Sequence, residues 1–291
     1  MSDCPIFEIP ITVFKLFPEL LISTKLTPSG NTQLDDYFVS PPFKLMTLPD
    51  YSTNKAEAWQ KGLNAMQMSS SPGLLGGDRL DIQISLRKST ALTLTTQAFT
   101  RVQAMNEGEF AEQITQIQLA ENSRLFYLPH PLVLHKDSAL KQKTTIEMAE
   151  NSELIYGEII AIGRVLNDER FAFRRFSSHL KIYALQKNGE KRPLVSDCIQ
   201  WLPSKMTLTA LSQMEGYSHQ GSLTYLNLSK SALEIKAMLK QLQETFTSSE
   251  NLLIGLSQLN EGGLMVRVLG HRAEQIQQLF DEIGSICKKA V

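Results

Sequence analysis

Between Leu74 and Arg164 apolar and polar residues alternate with a period of two, broken at regular distances by short polar turns. Leu80, Ile82, Ile84 and Leu86 fall on one face of an extended segment, with Asp81, Gln83 and Ser85 on the other. Such alternation predicts strands with one buried face. The segments break at Arg87-Lys88-Ser89-Thr90, Glu121-Asn122-Ser123-Arg124 and Glu150-Asn151-Ser152-Glu153, and Ala-Glu-Asn-Ser occurs twice. Asn and Ser bond their own backbone, and Asn tolerates left-handed dihedrals, so these breaks read as chain reversals. Leu86, Leu119 and Met148, which end the leading strands, are 33 and 29 residues apart. That spacing predicts stacked supersecondary units sharing one core. The fold class is therefore mainly β, a β-helix or solenoid-like body; three hairpins of an ordinary sandwich are the alternative.

The flanking segments extend this plan. Residues 1–20 are apolar and broken by Pro5, Pro10 and Pro18, and form an N-terminal extension. Leu21–Thr27 and Tyr37–Val39 read as strands around a Pro28-Ser29-Gly30-Asn31 turn, and Pro41-Pro42 suits a strand edge or a crossing segment. Lys55–Lys61 has helix propensity, and Leu63–Met68 reads as a strand. Phe171–Phe176, His179–Leu185 and Leu194–Trp201 read as further strands. After about residue 228 the period changes. Ser231 is placed to cap a helix carrying Leu233, Ile235, Met238, Leu239, Leu242 and Phe246. Two strands then bracket an Asn260–Gly263 hairpin, and a last helix carries Ile276, Leu279, Phe280 and Ile283. The chain thus divides into an extension (1–20), a β body (21–228) and a small αββα part (229–291) of one domain.

Composition excludes several classes. A formal charge of −1 leaves no electrostatic case for nucleic acid or an anionic membrane, and no apolar run reaches the about 18 residues that span a bilayer. Asp3 and Glu8 argue against a signal peptide, and three distant cysteines point to a reducing, cytoplasmic setting. Gly73, Gly76 and Gly77 permit positive φ, but no Gly-Lys-Ser/Thr follows, so this is not a phosphate loop. Nucleophile elbows and zinc-type His/Cys spacings are missing, and the five histidines are scattered. Asp78-Arg79 places charges at the mouth of the first repeat, and Glu158 interrupts the most apolar run of the chain. A carboxylate there must be paired, solvated in a channel or shifted in pKa; Arg164 is the nearby candidate partner. A polysaccharide-acting β-solenoid enzyme would need paired carboxylates and aromatic platforms, which two Trp scarcely supply. A purely structural β protein is the third class.

Six stretches resemble the urease accessory protein family called UreD, or UreH in some bacteria: 76–80 (Gly-Gly-Asp-Arg-Leu), 94–102 (Leu-Thr-Thr-Gln-Ala-Phe-Thr-Arg-Val), 127–133, 158–164, and, in the UreH branch, 40–46 and 215–219. They run in family order from about residue 21 to the C-terminus; residues 50–68 depart most. The resemblance implies a β-helix-like, non-enzymatic scaffold. It would bind apo-urease together with UreF and the GTPase UreG, as a dimer of heterodimers through UreF, with no permanent cofactor and Ni²⁺ in transit. Family positions proposed to line an internal passage correspond to Asp78, Thr100, Glu158 and Asp197. Partner contact is expected at strand edges and near Pro41, Pro42 and Phe43, and Arg79 and Arg164 are expected to make structural ion pairs. Spaced carboxylates with few other ligands suit an ion that pauses and moves on better than one that is stored.

Overall fold

The computed structural model describes residues 18–49 and 57–289. The expected extension therefore lies almost wholly outside the described residues. In chain order the elements begin with β1 (Leu20–Leu26), β2 (Thr32–Val39), β3 (Phe43–Leu48), the single-turn helix α1 (Glu57–Gln60) and β4 (Leu63–Ser69). The repeats supply β5 (Arg79–Leu86), β6 (Ala91–Gln97) and β7 (Thr100–Val102); β8 (Ala111–Leu119), β9 (Arg124–Leu128) and β10 (Leu132–Leu134); and β11 (Ala139–Met148) and β12 (Glu153–Ala161). Then follow β13 (Arg175–Leu185), β14 (Lys191–Trp201), β15 (His219–Asn227), α2 (Ala232–Thr245), β16 (Leu252–Gln258), β17 (Gly263–Gly270) and α3 (Ala273–Lys289).

The repeats stack in parallel, which excludes the hairpin sandwich. Leu86 pairs with Leu119 and Leu119 with Met148, so the ladder register equals the sequence offset of the repeats. Each coil contributes one strand to a sheet ordered β14-β13-β11-β8-β5-β1-β2 and one to a sheet ordered β16-β17-β15-β12-β9-β6-β4-β3; β7 and β10 form a short third side. The coil corners carry the expected signature. Ser89, Asn122 and Asn151 have φ of 62°, 58° and 56°, and Asn is among the non-glycine residues that most readily take that conformation. The next residues, Thr90, Ser123 and Ser152, are fully buried, and each hydroxyl donates to a carbonyl three residues back, at 2.7, 2.7 and 2.6 Å. The corners stack by main-chain bonds as well, Ser89 N–H to the Glu121 carbonyl and Asn122 N–H to that of Glu150.

Leu80, Ile82, Ile84 and Leu86 point inward, with Ile117, Leu119, Ile146, Met148, Leu154 and Ile182, to form the core between the sheets. The opposite face of the larger sheet is covered by the C-terminal helices. There Phe126, Ile155, Ile159, Leu223 and Val266 meet Ile235, Met238, Ile276, Phe280 and Ile283 in a second apolar layer. The element order α2-β16-β17-α3 is that read from the sequence, and β17 and β16 extend the larger sheet beyond β15. Ser231 caps α2 in a full capping box. It accepts from Glu234 N–H at 3.3 Å, while its own N–H donates to the Glu234 carboxylate at 2.8 Å.

Two details differ from expectation. Phe171–Arg174 is a bend that precedes one long strand, β13, with Phe171 itself at φ 52°. Leu233 is exposed, because only Ile235, Met238 and Leu242 of α2 face the sheet.

Candidate functional site

In-register parallel stacking has a consequence for polar residues. A polar side chain at one inward position of successive coils becomes a polar line along the stack, perpendicular to the strands. On the smaller sheet Gln113 stands beside Gln142, and Gln142 beside Ser178; one step along, Thr115 stands beside Thr144. On the larger sheet Gln67 neighbours Thr96, Tyr127 neighbours Tyr156, and Glu158 neighbours Ser222, which neighbours Arg267. A hydrophilic file thus crosses the interior between layers of Leu and Ile.

The file contains open space. A cavity of about 190 Å³ is lined at its outer end by Pro42, Phe43, Gly73 and Asp78, and deeper by Gln67, Thr96, Thr100 and Gln113. The same four deeper residues also line a smaller cavity of about 50 Å³, bounded further in by Thr115, Tyr127, Gln142, Tyr156 and Glu158. His130 stands in the wall between this inner cavity and a groove of about 660 Å³ along α3. Gly73 has φ +152°, and a Cβ there would lie 2.4 Å from the Arg101 carbonyl, so only glycine lets the mouth segment pack on β7.

Glu158 is the chemical centre of the file. Its Oε1 accepts from the Tyr156 hydroxyl at 2.6 Å, and its Oε2 lies 3.5 Å from the Ser178 hydroxyl. Thr144 Oγ1 lies 3.3 Å from the same Tyr156 oxygen, and the Tyr127 and Tyr156 rings meet edge-on at 5.8 Å. Burial pushes the Glu158 carboxyl above the usual carboxylate range, against the Tyr156 hydrogen bond, and the nearby Asp197 adds to the rise. Burial and Glu158 likewise push the Tyr156 and Tyr127 hydroxyls up, which keeps both as neutral donors. Among the described residues no three His, Cys, Asp or Glu side chains converge on one point that would cage a metal ion. The oxygens present are separated along the file. Such an arrangement can exchange ligands with a hydrated divalent cation one or two at a time.

The chain matches the profile of the UreD urease accessory protein family over residues 20–291. It is 72% identical over 270 residues to the urease accessory protein UreD of Haemophilus influenzae (strain PittGG), covering 93% of this chain and 98% of that one. To the UreD of Actinobacillus pleuropneumoniae serotype 5b (strain L20) it is 68% identical over 270 residues, with 93% and 97% covered. The chain belongs to the UreD family.

In this UreD-family chain three of the four file residues named from the sequence line the two adjoining cavities: Asp78, Thr100 and Glu158. Asp78 also closes its own turn, accepting from Leu75 N–H at 2.8 Å. Asp197 faces inward from β14, but its Oδ1 is held by Arg267 at 2.6 Å. Arg79 sits 3.5 Å from Asp81 and 3.9 Å from Glu112 on the outer face of the sheet. Arg164 is not the partner of Glu158. It leaves β12 beyond the bend at Gly163 and holds Glu169 with two hydrogen bonds, one of them 2.8 Å from Nε, at the surface. Phe43 is not an exposed patch either: β3 alternation turns it into the core, 8% exposed, while Pro41 is exposed and Pro42 half-buried. The exposed apolar side chains at this end of the stack are Tyr37, Phe38 and Met46, on the two edge strands β2 and β3. Sequence reading missed Gln67, Gln113, Gln142, Tyr127, Tyr156 and Arg267. For all of these but Arg267, which lies beyond the repeats, the signal was available as polar residues recurring at one inward register of successive coils.

Proposed function

We propose that this chain is a non-enzymatic scaffold for urease maturation, and that its interior polar file carries Ni²⁺ toward apo-urease as cargo. The observation that supports this most is the pair of adjoining cavities that run from Asp78 past Thr100 to Glu158 through an otherwise hydrocarbon core. An ion in transit needs spaced oxygen stations that replace part of its hydration without holding it. Carboxylate, hydroxyl and amide oxygens at successive coils provide that. Family membership supplies the urease context. UreF, with UreG in the assembled complex, is the delivering partner, and the complex works in the cytoplasm; no helix among the described residues is long and apolar enough to cross a membrane.

The edge strands β2 and β3, with Tyr37, Phe38 and Met46 exposed, are the apolar surface on which UreF is expected to dock. The experiment is a strain whose only copy of this chain carries Tyr37→Asp and Phe38→Asp. Loss of UreF capture together with nickel-poor urease is expected. Normal UreF capture would exclude this surface, and normal urease nickel despite lost capture would overturn the scaffold reading.

A further inference from the structure

Arg267 is the one described cation whose side chain faces inward along the Glu158 register line: Glu158 pairs with Ser222, and Ser222 with Arg267. From β17 its guanidinium reaches across to the opposite sheet and donates to Asp197 Oδ1 at 2.6 Å. The same side chain lines an outer cavity of about 390 Å³ with Ser212, Gln220, Leu253 and Gly255. It therefore stands at the end of the polar file and on the edge of that outer space, with its side chain 41% exposed.

Its chemistry opposes that of the rest of the file. A guanidinium cannot be deprotonated, so it repels a divalent ion at the very carboxylate that would attract one. Fixed arginines are a general means of stopping cations in a pore. Glu158 and Arg267 share one face of the sheet on strands separated only by β15, so the Arg267–Asp197 pair stands next along the file from the Glu158 carboxylate.

We propose that Arg267 is a tethered counter-cation that closes this end of the file, holding Asp197 until an arriving divalent ion at Glu158 displaces the guanidinium into the outer cavity. The inference rests on the conduit reading above and adds to it the residue that sets when the passage is open. Arg267 is a positioning residue: it touches Asp197, and it acts on the ion through that carboxylate.

The test is equilibrium dialysis of Ni²⁺ against the full chain as wild type, Arg267→Gln, Glu158→Gln and the double variant, with thermal melts of each. Removing the competing positive charge should tighten Ni²⁺ binding by Arg267→Gln roughly ten-fold, and adding Glu158→Gln should abolish the gain. Should the glutamine variant not fold, Arg267→Met keeps the aliphatic packing and gives the same reading. If Arg267→Gln binds as wild type while Glu158→Gln binds less, the gate is wrong and the conduit stands. If all four proteins bind alike, both fail. A lowered melting temperature with unchanged Ni²⁺ binding would mark the pair as an inter-sheet tie only, and would overturn the gate.

Discussion

Urease recovered from a strain whose only copy of this chain carries Glu158→Ala should contain roughly a tenth or less of its normal nickel, and Asp78→Ala should act in the same direction with a smaller effect. The difference follows from position. Glu158 lies on the inner cavity, accepting from Tyr156 and 3.5 Å from Ser178, whereas Asp78 lines the outer cavity and is already engaged in closing its own turn. The carboxylate is not kept for stability. Burial raises its pKa, so the folded state disfavours its charge, and its removal costs the Tyr156 hydrogen bond while relieving that penalty. The melting temperature of Glu158→Ala should therefore stay within a few degrees of wild type, and UreF capture should persist. Unchanged nickel content would remove Glu158 from the route; soluble protein lost in proportion to nickel would show the carboxylate to be structural.

The second large effect is a pH dependence set at the coil corners. Glu153 is 1% exposed, with Arg124 Nε at 3.4 Å and Tyr225 and Trp59 around it. Burial outweighs the attraction of Arg124 and pushes this carboxyl up to about 7. Its folded value thus stands above the ordinary 4.5. The neutral acid is favoured on folding, so its contribution is full below about pH 4.5 and is lost as pH rises through about 7, on the order of 3 kcal/mol. Glu158 acts in the same direction. His135, His179 and His219 act in the opposite one, because burial lowers their pKa values and the folded state prefers them neutral. The clean measurement is the difference in unfolding free energy between wild type and Glu153→Gln across this range. It should change by a few kcal/mol in favour of the variant as pH rises; a flat difference would mean that Glu153 stays ionised against Arg124.

The repeat architecture was legible because its determinants are local. Alternation fixed the strands, and Asn122 and Asn151 marked corners that need left-handed dihedrals. The offset of Leu86, Leu119 and Met148 equals the ladder register, since stacked coils must bring equivalent residues together. Alternation also tells which residues share a face of a strand, but not which face meets the helices. Glu158 therefore read as a carboxylate in need of a partner, and Arg164, six residues on, looked suitable. The strand instead sends Glu158 inward and the bend at Gly163 sends Arg164 out. Phe43 failed for a related reason: prolines mark a crossing between sheets, and the first aromatic after it is taken up by the core. Arg267 lay beyond reach, because its tie to Asp197 spans 70 residues and two sheets.

An ion that travels through the stack rather than around it has to cross the inner cavity. Thr115 is 3% exposed and lines the inner cavity opposite Glu158 without contributing charge. Thr115→Met would fill that cavity with hydrocarbon and leave each carboxylate in place. The decisive measurement is the nickel content of urease from cells whose only copy carries this substitution, beside UreF capture by the same variant. Nickel-poor urease with normal capture is the expected result; urease with its full complement of nickel would contradict a route through the interior.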